Sequence, residues 1–240
     1  MGRLAVVGGH TVLGPALHEA LGLRGRARRV PVPGGPVQVV DAESVVFLQR
    51  HRQPDYVLAP YLDHHAYAHA LSVAGCDRVL ALGSCGGLRA GLPPGTTLLL
   101  DDVISFSPRP DSRFVDGRAA TVPGFDPDWR ARVRAAWTAH GSGSLRDGGV
   151  YWQATGPRFE TQAEIRLMAT FADVVGMTIG SESVAHRERG LAYAAVCVVD
   201  NFANGVAGAT LTVEEFQSGV AANADALIAS LRSVVPELAR

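Results

Sequence analysis

Residues 149–205 read GVYWQATGPRFETQAEIRLMATFADVVGMTIGSESVAHRERGLAYAAVCVVDNFANG. Short apolar runs alternate here with longer mixed ones. Tyr151–Ala154, Val174–Met177 and Tyr193–Val199 are brief, apolar and bounded by Gly, Pro or Asp, the pattern of buried strands. Gln162–Phe171 and Ser181–Arg189 carry the mixed composition of helices packed on one face. A strand–helix–strand–helix–strand succession points to an α/β fold rather than all-α or all-β.

The same alternation extends outward. Leu4–Val7 reads as a strand and residues 15–23 as a helix, with Val37–Val40 and Tyr56–Pro60 as weaker strand candidates. His64–Ala74 is predicted helical, and Arg78–Leu82 a strand running into a turn at Gly83. Thr97–Ile104 is strand-like, residues 105–125 loop-like with Pro108, Pro110, Gly117 and Pro123, and Trp129–Ala139 helical. Near the C-terminus, Thr212 and Glu215 form a capping box ahead of an amphipathic run. Val213, Phe216, Val220, Leu227, Leu231 and Val234 recur there at helical spacing and are expected to face the core. Neither a repeat nor a long linker divides the chain, so residues 1–240 read as one domain.

Composition narrows the chemistry. With 47% hydrophobic residues among 240, the chain can bury a sizeable core. A net charge of −1 gives no global field toward nucleic acid or a membrane. The local basic run Arg24, Arg26, Arg28 and Arg29 reads as a solvated connection after the first helix. No lysine occurs, and the 22 basic residues are all arginine, which removes Walker A, Schiff-base and Tyr-x-x-x-Lys chemistry. Cys76, Cys85 and Cys197 are widely spaced and odd in number, so neither a disulfide framework nor a zinc knuckle is indicated. The N-terminus lacks a signal-peptide pattern and no run is long enough for a membrane span, so the expected setting is cytoplasmic.

Four pieces of the opening run carry a specific resemblance. GPRFETQAEIR at Gly156–Arg166, DVVGMT at Asp173–Thr178, Glu182, and GLAYA at Gly190–Ala194 occur in order and at matching spacing. The chain resembles the purine nucleoside phosphorylase and methylthioadenosine phosphorylase family, in its homotrimeric branch. The resemblance covers nearly the whole chain. It implies one doubly wound α/β domain, a central mixed twisted sheet flanked by helices. It also implies a pentosyltransferase acting in purine salvage, in which inorganic phosphate and a purine nucleoside yield free purine and ribose 1-phosphate or a 5′-substituted analogue. Phosphate is the co-substrate, and no cofactor or metal is implied. A homotrimer is expected, with residues 105–125 as the neighbour contact.

Residue by residue, the resemblance implies three phosphate-holding segments. In Gly8-Gly9-His10-Thr11, His10 stands where the family places a phosphate-binding hydroxyl and Thr11 follows it, so either of the two is the candidate. Arg50 and His51 match an Arg-His pair that donates to phosphate; a guanidinium fork suits phosphate oxygens. Ser84, in the Gly-rich run Gly83–Gly87, is a phosphate contact, and small residues there are expected to form a backbone nest. Thr178 also donates to phosphate, while Met177 packs on the ribose. Phe159 stacks on the purine, and Glu160 and Asn201 serve as the catalytic, base-binding pair, Glu160 accepting from N1–H and Asn201 bridging O6 and N7. An amide can donate and accept, so Asn201 fits a 6-oxo base better than a 6-amino one. Val213 falls where enzymes for ordinary nucleosides carry a histidine toward the 5′-hydroxyl, and an apolar residue suits a methylthio group. A 6-oxo base and an apolar 5′ pocket together suggest 5′-methylthioinosine, with 5′-methylthioadenosine as the alternative.

Other readings stay in view. His10, the run Asp63–Tyr67 and Ser181 depart from the family pattern, which leaves room for a nucleoside-binding relative without catalysis. The turn Gly8, Thr11, Gly14 is not G-x-G-x-x-G, which argues against a dinucleotide site. His65 and His69 share a helical face at metal-ligand spacing but lack an evident third ligand. Asp200-Asn201 alone would read as a turn or helix cap.

Overall fold

The computed structural model describes residues 2–12, 17–51, 55–106, 112–208 and 210–240. The chain begins with β1 (Arg3–Gly8), the short helix α1 (Leu17–Ala20), β2 (Arg26–Val30), β3 (Val37–Ala42) and β4 (Val45–Gln49). Helix α2 (His64–Val73) leads into the long β5 (Cys76–Gly87), then β6 (Thr97–Leu99) and β7 (Asp102–Ser105). There follow α3 (Pro127–His140), β8 (Arg146–Asp147), β9 (Val150–Gln153), α4 (Gln162–Phe171), β10 (Val174–Gly176), α5 (Ile179–Arg187), β11 (Ala192–Phe202) and α6 (Val213–Leu238).

All eleven described strands join one mixed sheet with β5 as its axis. One edge of β5 runs parallel to β11 over Arg78–Gly87. The other edge changes partner: it pairs with β1 as far as Ala81, then antiparallel with β10 at Gly86 and Gly87. Between those pairings the edge is open. There the chain leaving β1 comes so close that a Cβ on Gly9 would lie 2.3 Å from the Leu82 carbonyl oxygen, so only glycine fits.

Alternation along the central strands fills both faces. Ala5, Val7, Val79, Ala81 and Ala195 pack with Tyr67 and Leu71 of α2 and Ile179 of α5. Leu4, Val6, Leu80, Ala194 and Val196 pack with Trp129, Val133 and Trp137 of α3 and with Leu227, Leu231 and Val234 of α6. Both faces are thus covered by helices, as a largely parallel sheet requires. No helix among the described residues is long and apolar enough to cross a membrane.

Several sequence expectations change. Three of the four arginines of the basic run, Arg26, Arg28 and Arg29, belong to β2, where they are exposed on an edge strand paired antiparallel with β3; Arg24 precedes it. Tyr56–Pro60 is not a strand; Ala59–Tyr61 forms a single 3₁₀ turn. The strand preceding Arg50 is β4. Thr97–Ile104 divides into β6 and β7. The described part of the first helix spans Leu17–Ala20, while Gly14, Pro15, Arg52, Pro108 and Pro110 lie outside the described residues. Gly83–Gly87 does not form a nest: it continues β5 as extended backbone, held by its register with β11. On α6, Leu227, Leu231 and Val234 are buried as expected, but Val213 is 54% exposed and Phe216 and Val220 only half-buried.

Candidate active site

A cavity of about 290 Å³ opens at the partner switch on β5. Arg50 and His51 enter it from the end of β4, Ser84 from β5, and His10 from the turn after β1. Met177 and Thr178 come from the junction of β10 and α5, Phe159 and Glu160 from the loop before α4, Asn201 from β11, and Val213 from the start of α6. Of the residues nominated from sequence, Thr11 alone is not in this lining.

Arg50 is 1% exposed, and its guanidinium lies against Glu182 of α5: Nε donates to Oε2 at 2.5 Å and Nη2 to Oε1 at 3.0 Å. Nη1 donates to the Leu82 carbonyl at 3.2 Å. A guanidinium has five N–H groups, so two are left after these three bonds. Tyr193 donates its hydroxyl to Glu182 Oε1 at 2.8 Å, and His64 Nδ1 lies 3.7 Å from Oε2. Burial alone would raise the Glu182 carboxyl, but the Arg50 charge and hydrogen bonds, with the nearby His64 ring, hold it well below the usual carboxylate range.

His51 is held neutral. Burial, then the Arg50 charge, lowers its pKa to about 4. In the neutral ring a proton on Nδ1 donates to the Val57 carbonyl at 2.9 Å, which leaves Nε2 as an acceptor. The expectation that His51 adds a donor for phosphate therefore does not fit this arrangement. His10 is also lowered, by burial. His10, His51 and Tyr56 gather edge-on and stacked at 5.1–5.7 Å, and His10 meets Phe216 at 5.0 Å.

Thr178 is the N-cap of α5, yet its hydroxyl makes no cap bond. Its backbone N–H donates to the Tyr151 hydroxyl at 3.2 Å. Gln153 bonds Ser181 twice, accepting from its N–H at 2.8 Å and donating to its Oγ at 2.6 Å. The serine that departs from the family pattern is thereby tied to β9.

In the loop before α4, Glu160 is 8% exposed and burial raises its pKa. Asn204 donates to its backbone carbonyl at 3.2 Å. Asn201 donates through Nδ2 to the Phe202 carbonyl at 2.8 Å. Phe159 meets Phe216 edge-on at 6.0 Å, and Leu211, Val213 and Phe216 make the wall beside them apolar.

Sequence reasoning missed Asp200. It sits where the register of β11 against β5 shifts by a residue, a β-bulge. Its carboxylate is buried and accepts from Thr11 Oγ1 at 2.9 Å, Ser84 Oγ at 2.5 Å and Asn223 Nδ2 at 2.9 Å. Thr11, nominated as a phosphate ligand, spends its proton there instead. The available signal was a carboxylate closing an otherwise apolar strand, Tyr193–Val199. Tyr56, Leu58 and Gln217 also line the cavity and carried no sequence signal.

A family model described as the phosphorylase superfamily matches residues 16–236. A probable 6-oxopurine nucleoside phosphorylase from Archaeoglobus fulgidus is 34% identical over 200 residues, 82% of each chain. A probable S-methyl-5′-thioinosine phosphorylase from Methanosarcina acetivorans is 36% identical over 179 residues, covering 73% of this chain and 68% of the relative. Among solved structures, methylthioadenosine phosphorylase from Schistosoma mansoni in complex with adenine superposes with a TM-score of 0.82 at 20% identity, covering 99% of this chain and 90% of that one. That likeness bears on the fold.

Proposed function

The chain belongs to the phosphorylase superfamily, and from that premise we propose that it cleaves a 6-oxopurine nucleoside with inorganic phosphate. The products are free purine and a ribose 1-phosphate, and the favoured substrate is 5′-methylthioinosine. The reading rests on one observation: a single cavity is lined by a buried cation and hydroxyls (Arg50, Ser84, Thr178), by an amide and a carboxyl (Asn201, Glu160), by Met177 and by an apolar wall.

Phosphate attacks C1′ as the bond to the purine breaks, so positive charge builds on the sugar and negative charge on the leaving base. Arg50, fixed by Glu182, directs its two remaining N–H groups and Thr178 its uncommitted hydroxyl toward phosphate. Holding the anion beneath the sugar makes the attack effectively intramolecular, and preorganised donors stabilise charge where it develops. Asn201 bridges O6 and N7 of the base, and Glu160 accepts from N1–H, so charge arriving on the purine meets a donor. The apolar wall of Leu211, Val213 and Phe216 accommodates a methylthio group at C5′. In the homotrimer we propose, a neighbouring subunit would cover the exposed Phe106, Val115 and Val122.

A nucleoside panel assayed with and without phosphate tests the reading. Methylthioinosine is expected to turn over fastest, inosine more slowly, and neither without phosphate. A clear preference for methylthioadenosine, or cleavage independent of phosphate, overturns it.

A further inference from the structure

Among the described residues, Asp200 is a buried carboxylate beside the cavity whose hydrogen-bond partners are all uncharged. Its neighbours are Thr11 from the turn after β1, Ser84 from β5 and Asn223 from α6, with the titratable Cys85 nearby on β5. It is 1% exposed. Burial raises its carboxyl, and the three donated hydrogen bonds oppose that rise.

The consequence lies in Ser84, which lines the cavity. A serine hydroxyl has one proton and two lone pairs. Because the proton points back at Asp200 Oδ2, the side of Ser84 Oγ left for the cavity is an acceptor. An anion oxygen without a proton would meet lone pair against lone pair there. An anion with an O–H of its own would instead donate to Ser84.

We propose that Asp200, acting through Ser84, makes the anion site selective for a protonated tetrahedral oxyanion, phosphate or arsenate, over sulfate. Hydrogen phosphate carries a P–O–H at neutral pH and sulfate carries no proton. With its O–H turned to Ser84, phosphate directs its unprotonated oxygens to Arg50, Thr178 and the sugar. Asp200 is thus a positioning residue that fixes which phosphate oxygen attacks. The inference rests on the reading of this cavity as a phosphorylase site.

The test compares phosphate and arsenate as co-substrates with sulfate as a competitive inhibitor, in wild type, Asp200→Asn and Ser84→Ala. In wild type, sulfate is expected to bind at least about ten-fold more weakly than phosphate, the discrimination of a site whose polar group is left unpaired by the wrong ligand. The amide of Asp200→Asn can donate to Ser84 and free the serine proton, so the sulfate-to-phosphate ratio should fall toward unity. Ser84→Ala should lower the same ratio with Asp200 intact. A general loss of packing weakens both anions together and leaves the ratio unmoved. Sulfate binding as tightly as phosphate in wild type, or a ratio unchanged in both variants, overturns the proposal. Absence of any phosphate- or arsenate-dependent cleavage overturns the phosphorylase reading itself.

Discussion

Arg50 and Glu182 form a two-point ion pair across the sheet, one at the end of β4 and the other in the first turn of α5, with 1% of each side chain exposed. A buried pair of this kind holds position more than it adds stability, because desolvation of both charges offsets their attraction. Its value is geometric: it joins the segment carrying Arg50 and His51 to the segment carrying Met177 and Thr178. Breaking it by removing one partner strands a charge.

Glu182→Ala should therefore lower stability by about 3–5 kcal/mol, with a fall in Tm on the order of 10 °C. Thermal unfolding followed by circular dichroism measures it. A fall no larger than that of an exposed substitution such as Glu19→Ala would remove the pair from its proposed place in the architecture.

Acid sensitivity follows in two stages. The folded pKa of His51 and of His186 is lowered by burial to about 4, against 6.5 ordinarily. As pH falls through 6.5 the unfolded chain takes up protons that the folded chain refuses, so stability declines from there. Glu182 acts in the same direction at lower pH. Its folded pKa is depressed, so its contribution is fully present above its ordinary value of 4.5 and is lost as pH falls below it. Denaturation midpoints between pH 8 and pH 4 should decline below about pH 6.5 and drop more steeply below about 4.5. A midpoint flat down to pH 5 contradicts the histidine stage.

Thr178 offers a cleaner functional probe than Arg50, since its hydroxyl caps nothing. Thr178→Ala should leave Tm nearly unchanged and raise the KM for phosphate by about ten-fold, the worth of one hydrogen bond to a charged group. A KM that rises for the nucleoside but not for phosphate would place the hydroxyl on the sugar instead.

Val213→His tests the 5′ end. A histidine here would put a polar ring at the wall formed with Leu211 and Phe216. The ratio of kcat/KM for inosine to that for methylthioinosine should rise by about ten-fold. An unchanged ratio moves the 5′ pocket elsewhere along α6.

The long periodic elements were legible in the sequence, and what escaped was set by pairing. Gln162–Phe171 is an α-helix with the bounds its apolar spacing predicts. β4 was hidden because its turn from β3 passes through Glu43 at φ 53°, a left-handed position without the Gly or Asn that normally marks it. Arg26–Val30 looks solvated because it is a charged edge strand, and such edges resist pairing with other chains. Gly83–Gly87 resembles a turn by composition, yet β11 holds it extended. The nominated cavity residues were legible because motifs surround them, and most sit at or near element ends. Asp200 was not, because its role arises only when β1, β5 and α6 meet.

That meeting depends on Gly219. A Cβ there would lie 1.8 Å from the Asp200 carbonyl oxygen, so α6 reaches the bulge only by having no side chain at that point. Helix propensity alone favours alanine over glycine by about 1 kcal/mol. The clash should reverse that sign, since overpacking costs about 1–3 kcal/mol when backbone must shift. Gly219→Ala is expected to unfold several degrees below wild type, on the order of 5 °C, and to bind nucleoside more weakly as the bulge moves Asn201. Gly117→Ala, where a Cβ meets nothing within 4 Å, serves as the control and should unfold with wild type. If Gly219→Ala is as stable as that control, α6 is not locked to the bulge and the placement of Asp200 and Asn201 has another origin.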